Sequence, residues 1–162
     1  MFAQALRTRL GKAVKEEKGF TLIELLAVIV IMGIIAVIAI PMISGLINKT
    51  GEKADLATAR QIYEASRMYI TTEFDGKVEN LSIDVIEGTG TKAGKGLQIE
   101  NYLENPLVLP SNKHNIVSGT VNYSGGKLAN GTNGYAIVIA DGTGTSAVTR
   151  RYTAQQILES KL

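Results

Sequence analysis

Few residues in this chain have the types and spacing that chemistry needs. The single histidine, His114, stands between Lys113 and Asn115 in a polar loop, and the chain has no cysteine. One imidazole without thiolates cannot complete a zinc site of the ordinary ligands, and a lone exposed histidine is in most proteins functionally silent. Ser124-Gly125-Gly126-Lys127 has S-x-x-K spacing and Lys49-Thr50-Gly51 is a K-T-G triplet, two pieces of a serine acyl-transfer site. Their order is reversed, the serine falls in an expected turn, and no S-D-N stretch accompanies them. The run Glu87-Gly88-Thr89-Gly90-Thr91-Lys92-Ala93-Gly94-Lys95-Gly96 is glycine-rich enough to suggest a phosphate cradle. It has Thr89 where the first glycine belongs and Gly96 where a hydroxyl should hold magnesium. Asp141-Gly142-Thr143-Gly144-Thr145 offers oxygens to calcium without the ligand spacing of a known loop. The expectation is therefore no enzyme, no cofactor and no metal site.

Glu24 is different, because of where it sits. From Leu25 to Ile47 no residue is charged, so this carboxylate stands at the entrance of a long apolar run. Phe20 to Ile40 would make about 31 Å of helix, matching a hydrocarbon core of roughly 30 Å. Glu24 follows Phe20 by four residues, about 6 Å along the axis, close enough for its side chain to reach the headgroups of a bilayer. The preceding 19 residues are polar and have no apolar stretch of their own, unlike a secretory signal peptide. Arg7, Arg9, Lys12, Lys15 and Lys18 there outnumber Glu16 and Glu17, and no basic residue follows the span until Lys49. That asymmetry predicts a cytoplasmic N-terminus and an outer C-terminal domain. It also accounts for the formal net charge of +2: without the leader the balance is slightly acidic, so overall basicity gives no support for nucleic-acid binding, and no basic patch is legible beyond the leader.

Lys18-Gly19-Phe20-Thr21-Leu22-Ile23-Glu24-Leu25-Leu26 resembles the type III signal of type IV prepilins and of the related pseudopilins of type II secretion and competence machines. In that family a membrane aspartyl prepilin peptidase cuts after the glycine, and the new N-terminal phenylalanine is N-methylated. The resemblance covers about a third of the chain. It implies cleavage between Gly19 and Phe20, methylation of Phe20, and an assembly role for Glu24. It implies as partners other copies of the chain in a helical homopolymer, the peptidase/N-methyltransferase, and indirectly an assembly platform and a cytoplasmic ATPase. Electrostatics gives that role a mechanism. Inside a packed filament a carboxylate cannot reach water, so it needs a cation, and cleavage itself frees one, the α-amino group of a neighbouring Phe20.

Gly33, Pro41 and Gly45 interrupt an otherwise good helix, and a proline in a helix interior costs about 3 kcal/mol. In the family that this resembles, such a segment can lose helical order when the subunit enters the filament; a plain kink is the other reading. Helical periodicity then continues from 48 to 74. Leu56, Ala59, Ile62, Tyr63, Ser66, Tyr69 and Ile70 fall on one face, and Lys53, Arg60, Glu64 and Arg67 on another, with Arg60 and Glu64 spaced for an i,i+4 pair. Asp75-Gly76 ends the helix. Residues 75–115 form a glycine-rich variable region with short structure expected at 81–86 and 97–104. The last part, 116–162, reads as a three-stranded antiparallel meander at 116–123, 135–140 and 147–152, separated by glycine-rich turns. Thr153-Ala154-Gln155-Gln156 has the form of a capping box that would start a short final helix. The fold class expected is α+β: a long helix, membrane-spanning at 20–47 and amphipathic at 48–74, packed against a small antiparallel sheet, which is also the pilin architecture.

Two classes of function follow. The first is a structural subunit of a type IV pilus, made as a membrane-anchored precursor with a cleaved 1–19 leader and displayed at the cell surface after processing, with a secretion or competence pseudopilin as its close variant. The second is a monomeric single-span membrane protein with an outer binding domain. The signal at residues 18–26 favours the first, while adhesion, twitching motility and DNA uptake all stay open. Many pilins close a C-terminal loop with a disulfide; with no cysteine, this chain would rely on packing alone.

Overall fold

The computed structural model describes residues 20–86, 96–142 and 147–162. The expected α+β architecture is observed: a long N-terminal helix, α1 (Leu22–Glu73), packed against a five-stranded antiparallel sheet. The chain divides into two units, an N-terminal one ending at Ser44 (the inner unit) and one from Gly45 to Leu162 (the outer unit).

In the inner unit the apolar side chains of α1 face outward on every side. Leu22, Val37 and Met42 are exposed like their neighbours, and only Ala36 and Ala39 are half-covered. A helix apolar all round needs a surrounding apolar phase, and this one is long and apolar enough to cross a membrane.

In the outer unit α1 becomes one-sided, as its periodicity predicts. Leu56, Ala59, Ile62, Ser66, Tyr69 and Ile70 are buried and Tyr63 is half-buried, while Lys53, Arg60, Glu64 and Arg67 are exposed. The charged stripe pairs differently from the i,i+4 expectation: Glu64 bonds Arg67 at 3.2 Å, one turn on, and the same guanidinium lies 5.7 Å over the Tyr63 ring. The helix ends where Asp75 (φ 50°) and Gly76 (φ 72°) turn left-handed and the Gly76 amide returns to the Ile70 carbonyl at 3.2 Å.

The meander is present as β2 (Ile116–Ser124), β4 (Ile137–Asp141) and β5 (Val148–Tyr152), with two strands that the pattern did not single out. These are β1 (Asn80–Asp84), which overlaps the short structure expected at 81–86, and the two-residue β3 (Lys127–Leu128). The order is β1-β2-β4-β5, with β3 returning on β2 through Gly125-Gly126 to pair Leu128 with Tyr123. The register pairs Ile83 with Val121, Val121 with Ile137 and Ile137 with Tyr152. These four residues therefore form one row across the sheet, all buried. Together with the α1 face they form a single core. Segment 97–104 is a series of turns that plugs that core with Leu97 and Leu103. Residues 107–116 fold back on themselves, Ile116 donating to Leu107 at 2.9 Å, and hold Ser111 and Asn112 at the tip. The capping box forms as expected: the Gln156 amide donates to Thr153 Oγ1 at 3.3 Å and the Thr153 amide to Gln156 Oε1 at 2.9 Å, starting α2 (Ala154–Glu159).

Candidate processing and assembly site

The N-terminal end of α1 joins Thr21 and Glu24 into one local arrangement, with Phe20 just before them. Thr21 precedes the first helical residue and Glu24 is the third, the positions of a capping box. The Thr21 amide and hydroxyl donate to Glu24 Oε2 at 2.8 and 2.7 Å, and the Glu24 amide donates back to Thr21 Oγ1 at 3.3 Å. Two amides with no helical partner are thereby satisfied. Glu24 is thus a helix cap as well as a charge, and the T-x-x-E spacing is the sequence signal of that cap. One carboxylate oxygen serves Thr21, and Oε1 has no partner among the described residues. Phe20 is 83% exposed. Gly19, the other side of the expected cleavage, lies outside the described residues.

The helix runs unbroken through Gly33, Pro41 and Gly45. Proline has no amide to give the Val37 carbonyl, so one helical bond is missing at that turn, and the Ser44 hydroxyl donates to the neighbouring Ile40 carbonyl at 3.1 Å. A Cβ added at Gly33 or Gly45 would meet nothing within 4 Å. The three residues thus weaken the helix along one stretch without any tertiary contact requiring small side chains.

The outer unit carries a polar cluster that the sequence reading missed. Asp55 lies on the apolar face of α1 beside Leu56, and both it and Asp141 on β4 are fully buried. Between them Arg150 on β5 donates from Nε to Asp55, from Nη1 to Asp141 at 2.8 Å and from Nη2 to Ser111 Oγ at 2.8 Å. The Ser111 amide donates to Asp55 Oδ1 at 3.1 Å, and Asn112 Nδ2 donates to Asp141 Oδ2. A guanidinium that splits its fork between two carboxylates compensates most of their desolvation. Its function is to tie helix, sheet and the 107–116 loop together.

The other candidate residues are not brought together. His114 is 60% exposed with Nδ1 3.6 Å from Asp141 Oδ2, at the rim of this cluster. Ser124 donates to Asn80 at 2.7 Å, Lys127 belongs to β3, and Lys49-Thr50-Gly51 lies on α1. The Asp141 oxygens accept from Arg150 and Asn112; residues 143–145 of that loop, and 87–95 of the glycine run, lie outside the described residues. Among the described residues no three His, Asp or Glu side chains gather as a metal would require.

Comparison with known proteins adds one match: residues 14–40 fit the family model of the prokaryotic N-terminal methylation motif. That segment takes in the Gly19-Phe20 junction, Glu24 and most of the apolar part of the helix. No curated protein and no solved structure matches the chain. A methylation motif at the head of a long apolar helix, with a small antiparallel sheet in the outer unit, supports a type IV pilin-like or pseudopilin protein anchored in a membrane.

Proposed function

We propose that this chain is the subunit of a type IV pilus filament, cleaved after Gly19, N-methylated at Phe20 and polymerised through α1. The observation that carries this reading is the exposure of the whole apolar surface of α1 from Leu22 to Ile47, with Glu24 as its only charge. Cytoplasmic membrane covers that surface before assembly, and the helices of other subunits cover it afterwards. In the membrane Glu24 is held by Thr21 at the interface. In the filament its free Oε1 accepts from the methylated amine of a neighbouring Phe20, so cleavage creates the cation that assembly needs. Gly33, Pro41 and Gly45 form the part of α1 that gives up helical order on packing, because the Pro41 turn already lacks one bond and neither glycine is held by neighbours. The domain boundaries follow: a 1–19 leader, a 20–47 anchor and filament core, a 48–74 scaffold, and an outer surface built from 75–115 and 116–162.

The test is N-terminal mass spectrometry of sheared surface fibres. The expected peptide begins at methylated Phe20; residues before Phe20 in the fibre would refute the processing scheme. Electron microscopy of the same preparation separates long, abundant fibres of a pilin from the absence of fibres expected of a pseudopilin.

A further inference from the structure

We infer that the outer unit carries both halves of a head-to-tail contact between copies of this chain, a cationic groove beside α1 and an acidic rim at its end. The inference rests on the filament reading above. The groove, about 430 Å³, is lined by Lys53, Arg60 and Lys161 around an apolar floor of Leu56, Ala57 and Leu162. All three cations are exposed, and none is in an ion pair among the described residues. Lys53 and Arg60 are two turns apart on one side of the helix, and Lys161 joins them only through the fold, so the sequence shows no basic patch.

The rim begins at Glu73, the last residue of α1, whose Oε1 accepts from the Tyr102 hydroxyl at 3.4 Å. The Tyr102 ring packs edge-on against Tyr69 at 5.2 Å, and burial first, then Glu100 and Glu73, raise the Tyr69 phenol above its ordinary range. Asp75 and Glu79 follow Glu73 in the chain and are exposed, with Lys77 the one opposing charge between them.

The two surfaces are placed for each other and not for themselves. With 3.6 residues per turn and 1.5 Å per residue, Glu73 lies roughly 140° around α1 and about 20 Å along it from Arg60. Groove against groove, or rim against rim, sets like charges face to face, which is unfavourable. Groove against rim is attractive and heterologous, and a heterologous contact that does not close into a ring generates an open helical filament. Two parallel copies displaced by about 20 Å bring Arg60 of one opposite Glu73 of the next. The apolar floor gives the contact burial, and the charges give it orientation and register.

The absence of cysteine makes the contact directly testable in the full-length chain. In sheared fibres treated with a short bismaleimide, Arg60→Cys/Glu73→Cys should give a ladder of oligomers, whereas each single variant gives no species beyond a dimer. Arg60→Glu should lower fibre yield at least tenfold, and adding Glu73→Lys should restore most of it; both positions are exposed, and unchanged circular dichroism checks the fold. Normal fibres without a ladder overturn the contact alone, as does a single Arg60→Cys variant that cross-links as completely as the pair. Normal fibre yield from Arg60→Glu with loss of DNA or anionic-vesicle binding would assign the groove to a polyanion and overturn it too. Absence of fibres from the unsubstituted chain in a host that makes pili overturns the filament reading, and this contact with it.

Discussion

Arg150 on β5 donates through Nη1 to Asp141 on β4 at 2.8 Å and through Nε to Asp55 on α1, so one guanidinium bridges two buried carboxylates from different layers. A cluster of this kind adds little stability over a well-packed apolar one, but removing a single member leaves a buried charge uncompensated. Arg150→Leu should therefore destabilise the outer unit by about 3–5 kcal/mol. Arg150→Lys should recover only part of this, since one ammonium cannot span both carboxylates. Adding Asp55→Asn and Asp141→Asn to Arg150→Leu should lessen the loss. Urea unfolding of the full chain in detergent measures it; a midpoint unchanged in Arg150→Leu would contradict the account.

Tyr152 and Tyr123 give stability an alkaline limit. Burial, then the nearby Asp55 charge, pushes the Tyr152 phenol up to about 12 against the pull of Arg150. Burial does the same for Tyr123, also to about 12, against the hydrogen bond with Ser66 at 2.6 Å. In the unfolded chain both ionise near the ordinary value of about 10. From about pH 10 upward the unfolded state has lost protons that the folded state still holds, so stability falls through the window from about 10 to about 12 and is full below it. Tyr152→Phe should shallow that fall. Melting temperatures of the two proteins across this window test it, and parallel curves would show that the phenol plays no part.

Glu24 has two roles that one substitution can separate. Glutamine serves the third position of a capping box as well as glutamate does, but it carries no charge for an α-amine. Glu24→Gln should leave membrane insertion and cleavage after Gly19 unaltered and keep the bonds with Thr21, while fibre yield falls as far as it does in Glu24→Val. Comparison of processed subunit in membranes with subunit in sheared fibres gives the answer. Full fibre yield from Glu24→Gln would reduce the residue to a helix cap.

Legibility in the sequence followed the range of the interaction. The amphipathic face from Leu56 to Ile70, the strands around 116–123, 135–140 and 147–152, and the Thr153 cap depend on neighbours a few residues away, so spacing reveals them. Asp55, Ser111, Asp141 and Arg150 come from four separate segments, and no spacing rule connects them. The one trace they left was Asp55 itself, a charged residue on the apolar side of α1, where only a buried partner makes it tolerable. β1 reads Asn-Leu-Ser-Ile-Asp, polar at both ends, and becomes a strand because β2 offers it an edge. Two-residue β3 is likewise made by its turn rather than by its own pattern. The cationic groove was hidden for the same reason as the buried cluster, since Lys161 reaches Lys53 and Arg60 only after α2 has docked.

Gly119, in the middle of β2, shows how closely the strands around it are packed. A Cβ there would come within 2.9 Å of Val85 Cγ2 and 3.1 Å of the Val138 carbonyl oxygen. Val85 is fully buried and its amide donates to the Gly119 carbonyl at 2.8 Å, so it cannot move aside without breaking that bond. The Val138 oxygen belongs to β4, where Val138 is the register partner of Thr120. Gly119→Ala should cost about 1–3 kcal/mol as an overpacking change. Shortening the neighbour relieves the closer of the two contacts, so Val85→Ala combined with Gly119→Ala should be less destabilising than the two single effects added together. A double-mutant cycle from urea midpoints in detergent measures the coupling; strict additivity would mean that the strand shifts instead and that the close approach of Val85 to Gly119 does not hold β2 in place.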